Sequence, residues 1–183
     1  IYAPSRSAEV LRVLEAKVDG GALNLKSVVD YPLGFTATTI TAHPEKNLLY
    51  VTTNGGPEGE CPAATVVLDE KGLPQKHHSH LLKNGYAGLV VSAKAGWLAG
   101  ASYRTGWLDL YQLDDRGRIG KSLVSRYEEK KNAHFVLISP DQKNLYVPYV
   151  KDFNALMQYG IDGNSLTSLD PLNAKPPEGT GPR

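Results

Sequence analysis

The sequence returns to one short phrase about every fifty residues. HPEKNLLYV at 43–51 matches SPDQKNLYV at 139–147, with Pro44 over Pro140 and Tyr50 over Tyr146. LVVSAKAGWLAGASY at 89–103 lies between them and aligns when Ala93 takes the proline's place, 49 residues after Pro44 and 47 before Pro140. Glycines supply a second ruler. Gly21, Gly72, Gly117 and Gly163 each stand in a turn just ahead of an apolar residue (Leu23, Leu73, Ile119, Leu166), at spacings of 51, 45 and 46. Such a period is too long for one hairpin and fits four short antiparallel strands, the blade of a β-propeller, at roughly 40–50 residues per repeat. The fold class read from the rulers is therefore all-β, with residues 1–183 forming part of one β-propeller domain.

The rulers divide the chain into an incomplete blade at 1–34, blades at 35–84, 85–129 and 130–174, and the start of another at 175–183. Ile1-Tyr2-Ala3 aligns with Leu49-Tyr50-Val51, so the chain enters on a second strand. The next two strands are expected at 9–17 and 23–31, joined through Asp19-Gly20-Gly21, a strong hairpin signal. By propensity Ala8 to Val18 competes as a helix, but the repeat register assigns a strand. The second blade should hold strands near 36–43, 47–54, 63–70 and 76–82, and its loop at 54–62 is longer than a hairpin needs, which marks it as solvated or functional. The third should hold strands near 87–93, 97–103, 106–113 and 121–127. Imperfect alternation across Trp107 to Leu113 is what a strand packed on both faces produces. Three blades and a fraction cannot close a ring without leaving edges and faces open, so the chain is expected to be part of a larger protein.

Composition excludes several classes. The net charge is +1 with no long basic run, which argues against nucleic acid or a membrane surface as partner. No apolar run approaches the roughly 20 residues of a membrane helix. A single cysteine, Cys61, rules out an internal disulfide and is compatible with a reducing compartment. The expected location is cytoplasmic, and because the chain opens at Ile1 rather than methionine, residues upstream are expected that leave a periplasmic or secreted fate open. No phosphate loop, dinucleotide fingerprint, zinc spacing or serine elbow is present, so no cofactor is expected. His77-His78-Ser79-His80 suggests a metal, since alternate strand residues face one way. That strand is the outermost of its blade, however, where polar side chains are solvated, and no metal site is assigned to it. Cys61 lacks an evident histidine partner, and His43, in the turn before Pro44, reads as a surface residue.

AHFVLISPDQKNLYVPYV at 133–150, followed after a spacer by GTGPR at 179–183, resembles the seven-bladed propeller lactonase family that includes bacterial 6-phosphogluconolactonases. IYAPSRSAEVLRVLEAK at the start and GASYRTGWLDLYQLD at 100–114 are similar to that family's first and third blades, so the resemblance covers nearly the whole chain. It implies a complete ring of seven blades, a C-terminal strand that joins the first blade, and hydrolysis of 6-phosphogluconolactone in carbohydrate metabolism, in the pentose phosphate pathway. A fungal relative forms a lactone from carboxy-muconate with a histidine, arginines and a glutamate. By motif its histidine matches His134 and one arginine matches Arg183, while its glutamate would fall past Arg183. The sequence departs from the family pattern at Tyr149, where a small or acidic residue is usual, and at Asn154, near which a basic residue is usual; both bear on substrate more than on fold.

His134 and Arg183 stand 49 residues apart, one blade period, so they should occupy equivalent places at one mouth of the channel on adjacent blades. A histidine at a strand start more often serves structure; the resemblance is what singles this one out. Lactone opening is ester hydrolysis, in which an imidazole can take the proton of the attacking water and a guanidinium can hold a phosphate, a carboxylate or the developing oxyanion. The expected partner is a small lactone or carboxylate, with His134 and Arg183 catalytic. Tyr103 and Arg104, at the end of a second strand, are expected to bind substrate. The alternatives are a lactone-forming cycloisomerase working the same pair in reverse, and a propeller that binds a ligand or protein without catalysis. Oligomeric state is not encoded in any of these features.

Overall fold

A computed structural model describes residues 1–183 apart from Glu129 and the side chain of Lys121. Among the described residues every regular element is a strand, and no helix is long and apolar enough to cross a membrane. The first sheet has three strands, β1 (Tyr2–Pro4), β2 (Val10–Asp19) and β3 (Ala22–Pro32). The second contains β4 (Thr39–Ala42), β5 (Leu48–Thr52), β6 (Cys61–Leu68) and β7 (Pro74–Leu82). The third contains β8 (Gly88–Ser92), β9 (Trp97–Ala101), β10 (Trp107–Leu113) and β11 (Ile119–Glu128), and the fourth β12 (Leu137–Ile138), β13 (Asn144–Tyr149), β14 (Ala155–Asp162) and β15 (Ser165–Ala174). Each sheet is an antiparallel meander in which neighbours in sequence are neighbours in space. The stretch with helical propensity is strand: β2 pairs with β3 from Val10↔Pro32 to Asp19↔Ala22. Gly20 and Gly21 close that hairpin with φ of 56° and 81°, the pair of positive values that a tight two-residue turn requires.

The core is a stack of three inter-blade layers. Leu11, Leu33, Leu49, Val51 and Val66 fill the space between the first and second sheets. Tyr50, Leu82, Tyr86, Leu98 and Tyr111 fill the next, and Trp97, Leu108, Leu110, Val147 and Met157 the third. Strand β9 shows how one sheet serves two layers, since Trp97, Ala99 and Ala101 face the fourth sheet while Leu98 faces the second. Along β10, Leu108 and Leu110 face forward and Tyr111 and Leu113 backward. Alternation is thus present in direction, and it is hidden in polarity because both faces are buried.

Each layer is also fastened by a repeated hydrogen bond. The hydroxyl of Tyr2 donates to the carbonyl of Gly72 at 2.7 Å, that of Tyr50 to Gly117 at 2.6 Å, and the indole of Trp97 to Gly163 at 3.0 Å. In every case an aromatic on one blade's second strand reaches the outer turn of the following blade. Those turns share their chemistry: Asp69 Oδ1 accepts the amides of Lys71 and Leu73, and Asp114 Oδ1 those of Arg116 and Arg118. Gly72 and Gly117 close them at φ of 77° and 79°, and a Cβ there would lie 2.7 Å from the Tyr2 hydroxyl and 2.8 Å from Leu48 Cδ1. Both backbone freedom and clearance therefore require glycine.

One layer contains charge. Asp109, fully buried on β10, accepts hydrogen bonds from Asn84 Nδ2 at 2.8 Å, the Tyr86 hydroxyl at 2.5 Å and Arg126 Nε at 2.7 Å. The Arg126 guanidinium lies 3.7 Å from the Trp107 ring centroid and 3.8 Å from Glu58 in the loop before β6. The Tyr86 hydroxyl meets that of Tyr111, whose pKa burial pushes up to about 12.

Two readings of histidine are corrected by the packing. His43 is buried, and its Nδ1 accepts the amides of Glu45 at 3.0 Å and Lys46 at 3.1 Å, so the ring caps its turn instead of standing in solvent. On β7 the histidines are half-buried and partnered: His77 Nδ1 meets the Tyr31 hydroxyl of the first sheet at 3.1 Å, and His80 Nε2 meets Thr65 Oγ1 of its own sheet at 3.2 Å. The outermost strand touches the first sheet through His77, and its His78 and His80 share a surface pocket with Asp114, Arg118 and Ile119 of the third, which its place in the sequence order does not reveal. Among the described residues no group of three or more His, Cys, Asp or Glu side chains is arranged to hold a metal.

Two predictions follow from these contacts. Tyr50→Phe strands the Gly117 carbonyl in a buried layer and should cost about 1–2 kcal/mol in urea unfolding, whereas Gly117→Ala combines strain with the Leu48 clash and should cost about 1–3 kcal/mol. A Tyr50→Phe protein as stable as the parent would show that the repeated bond does not contribute. The second prediction concerns pH. Burial, reinforced by Lys46 beside His43 and by His78 and Arg118 beside His80, lowers both imidazole pKa values below the ordinary 6.5. The unfolded chain then binds protons that the folded chain does not, so stability rises with pH. Melting temperature should fall as pH drops through 6.5 toward the lower folded values, and His80→Gln should flatten part of that slope.

A candidate ligand site at the channel mouth

The residues between the strands decide what faces the channel. At or just ahead of the innermost strands β4, β8 and β12 the chain offers Thr39, Ala87 and His134, spaced by 48 and 47 residues, and Arg183 follows 49 residues on. Two residues beyond the ends of β1, β5, β9 and β13 it offers Arg6, Asn54, Tyr103 and Lys151, spaced by 48, 49 and 48. All eight line one open cavity of about 540 Å³, together with Thr38 and Gly179 to Gly181. Equivalent backbone positions on successive blades thus converge on one mouth, and their side chains differ freely because the sheets, not the side chains, hold them there.

His134 is set by main-chain bonds on both sides. Its amide donates to the Pro148 carbonyl at 2.8 Å, and the preceding Ala133 bridges Tyr149. Asn132, at φ 73°, donates its amide to the Tyr103 carbonyl at 3.0 Å and accepts from the Val150 amide at 3.1 Å, which ties the third and fourth blades together beneath the ring. A Cβ on Gly88 would come within 2.8 Å of Phe135 Cα, so only glycine lets the innermost strand of the third blade pass this close to the segment bearing His134. The Tyr103 ring meets the half-buried imidazole edge to face, with centroids 5.8 Å apart and planes at 83°. Lys151 Nζ lies 5.5 Å from the Tyr103 centroid.

Arg183 is the exposed end of a strap held by Asn154. The Asn154 Oδ1 accepts the Gly181 amide at 2.8 Å, and its Nδ2 donates to the Pro177 and Pro176 carbonyls at 2.9 and 3.3 Å. Thr180 closes the bend on the Pro177 carbonyl through both its amide and its hydroxyl. The cavity lining carries three cations, Arg6, Lys151 and Arg183, and no carboxylate. Among the described residues none of the three takes part in an ion pair. Such a surface suits an anion.

Of the residues singled out from sequence, His134, Arg183 and Tyr103 line this cavity and Arg104 does not. Consecutive residues of the tight turn from Ser102 to Gly106, closed by the Gly106 amide on the Ser102 carbonyl at 2.8 Å, send their side chains apart. Arg104 is exposed and lies close enough to pull down the pKa of Cys61, which burial raises. Tyr149 is fully buried and donates its hydroxyl to the Gly106 carbonyl at 2.9 Å, so it belongs to the core beneath the site. Arg6 and Lys151 were missed. The signal was available, because each lies a whole number of blade periods from Tyr103.

Successive antiparallel sheets of three and four strands, packed face to face with a polar cavity at one end, define part of a β-propeller. The chain belongs to the lactonase family of seven-bladed β-propellers, whose sequence model matches residues 2–183. It is 28% identical over 184 residues to a 6-phosphogluconolactonase of Blochmanniella pennsylvanica, covering 100% of this chain and 52% of that protein. A candidate 6-phosphogluconolactonase of Bacteroides fragilis shares the fold with a TM-score of 0.75 and 16% identity, over 100% of this chain and 55% of that one. Another, from Bacteroides uniformis, gives a TM-score of 0.70 and 15% identity over 90% of this chain and 48% of that one. The chain therefore spans about half the length of these relatives.

The strap makes a direct prediction. Asn154→Ala should raise the exchange rate of the Gly181 amide about tenfold, as expected for losing one hydrogen bond of roughly 1–1.5 kcal/mol, while Asn154→Asp, which keeps the acceptor oxygen, should retain most of the protection. Unchanged protection in Asn154→Ala would mean that something else holds the strap.

Proposed function

We propose that the protein hydrolyses a sugar lactone, 6-phosphogluconolactone or a close analogue, at the cavity that His134 and Arg183 both line. The observation that carries this reading is the composition of that cavity: one half-buried imidazole and three cations without an ion pair among the described residues, with no carboxylate in the lining. Membership of the lactonase family supports it. His134 takes a proton as water attacks the lactone carbonyl carbon. Arg183 stabilises the oxyanion that forms. The carbon to ring-oxygen bond then breaks, the imidazolium returns its proton to the leaving oxygen, and the product carries a new hydroxyl and a carboxylic acid that ionises in water. Tyr103, edge-on to the imidazole, limits how that ring can turn.

The same cations favour a second reading, a cycloisomerase that closes a lactone on a polycarboxylate. The assay separates the two. Full-length protein should consume 6-phosphogluconolactone faster than its spontaneous hydrolysis, and His134→Ala should lower kcat by about 10²-fold or more, the usual contribution of general base catalysis. Turnover of carboxy-muconate alone would favour the cycloisomerase, and turnover of neither would favour a binding propeller.

A further inference from the structure

The cavity has two chemically different ends. The third, fourth and fifth blade positions contribute Tyr103, His134, Lys151 and Arg183, the first three joined by the ring contacts above. The first and second contribute Arg6, Thr38 and Asn54. Between the two ends stands Ala87, whose methyl offers no polar group. The sheets follow one another in chain order, so Arg6 on the first blade and His134 on the fourth stand three blades apart around the mouth.

Arg6 is placed by a built turn. Ser5 Oγ accepts the amides of Ser7 at 3.3 Å and Ala8 at 3.0 Å, its own amide donates to Val10 at 3.2 Å, and its carbonyl accepts from Ala37 at 3.1 Å. Ser5 thus anchors the turn both to its own blade and to the segment that carries Thr38. Arg6 follows as an exposed residue over the cavity, with no ion pair among the described residues. Arg183 already serves the oxyanion at the His134 end, so the Arg6 guanidinium, three blades away, is free to hold a second group on the ligand.

We infer that Arg6, with the polar side chains of Thr38 and Asn54 beside it, is the phosphate end of the site and sets the preference for a phosphorylated over an unphosphorylated sugar acid or lactone. This rests on the hydrolase reading for the identity of the ligand, and only for that. A guanidinium matches a phosphate dianion by paired N–H donors, and Thr38 and Asn54 can donate to the remaining oxygens. Lys151, beside Tyr103 and His134, belongs with Arg183 at the reacting end.

The test compares 6-phosphogluconate and gluconate binding to the full-length protein by calorimetric titration, in the parent, Arg6→Gln, Arg6→Lys and Lys151→Met. Arg6→Gln should weaken 6-phosphogluconate about 10- to 100-fold, the range of a charge-assisted hydrogen-bonded contact, and should erase most of the preference over gluconate. Arg6→Lys should fall between, because it keeps charge without the fork. Circular dichroism spectra matching the parent establish that the variants are folded. Loss of the preference in Lys151→Met but not in Arg6→Gln would overturn the inference, as would an equal loss for both ligands in Arg6→Gln. Hydrolysis is measured separately. A protein that binds 6-phosphogluconate through Arg6 yet leaves the lactone intact would sink the hydrolase reading and keep this one, and lactone hydrolysis with undiminished phosphate preference in Arg6→Gln would do the reverse.

Discussion

An aromatic side chain on one blade donating to a glycine carbonyl on the next is the contact on which the architecture turns. Tyr2, Tyr50 and Trp97 each make it, and each does so from within a layer of buried apolar side chains. Packing alone would let two flat faces slide, since dispersion and the hydrophobic effect have little direction. A hydrogen bond from the second strand to a turn at the blade's outer edge fixes both the rotation and the height of one blade against the other. Trp97 stands two residues earlier on its strand than Tyr50 does on its own, on the same face, and the larger ring covers the difference. Stability in such an array is built from successive neighbour contacts, so every interface must repeat the solution.

That regularity explains what the sequence disclosed. The repeated phrase that sets the first ruler carries Tyr50, aligned with Tyr2, and the second ruler is the glycine of the outer turn; in two of the three interfaces these are the two partners of one hydrogen bond, Tyr2 with Gly72 and Tyr50 with Gly117. They recur together because neither can change alone. The strand over Val10–Asp19 was legible for the same reason, since Gly20 and Gly21 demand a hairpin whatever the helical propensity of the residues before them. The histidines of β7 were not legible. A repeat identifies which strand a residue occupies, but not how far an outer strand overlaps the adjoining blade, and it is that overlap that brings His77 to Tyr31.

The site shows the same division. Position was readable at two places per blade, and the family resemblance pointed to His134 at one of them, which shares the cavity with Tyr103 at the other. Arg104 went astray over one residue, since a period of about fifty locates a turn without fixing which of its residues points inward. Asn154, a departure from the family pattern, holds the segment that carries Arg183 through hydrogen bonds to Gly181 and Pro177. A side chain that works through backbone groups of a distant segment leaves no pattern in its own neighbourhood.

The buried charge of Asp109 belongs to this argument as well. Desolvating a carboxylate and a guanidinium between two blades gains little stability over apolar packing, so its value lies in what it orients. Asp109 holds the Tyr86 hydroxyl and, through Arg126, reaches Glu58 in the long loop after β5. The Tyr86 main chain in turn receives the Thr39 hydroxyl at 2.7 Å and gives its amide to Thr53 at 2.9 Å. Thr39 and the residue after Thr53, Asn54, both face the cavity. A polar network in the second interface therefore bears on the second blade's contribution to the mouth from two directions, and an apolar substitute would keep the blades packed while leaving that contribution to the loop's own preferences.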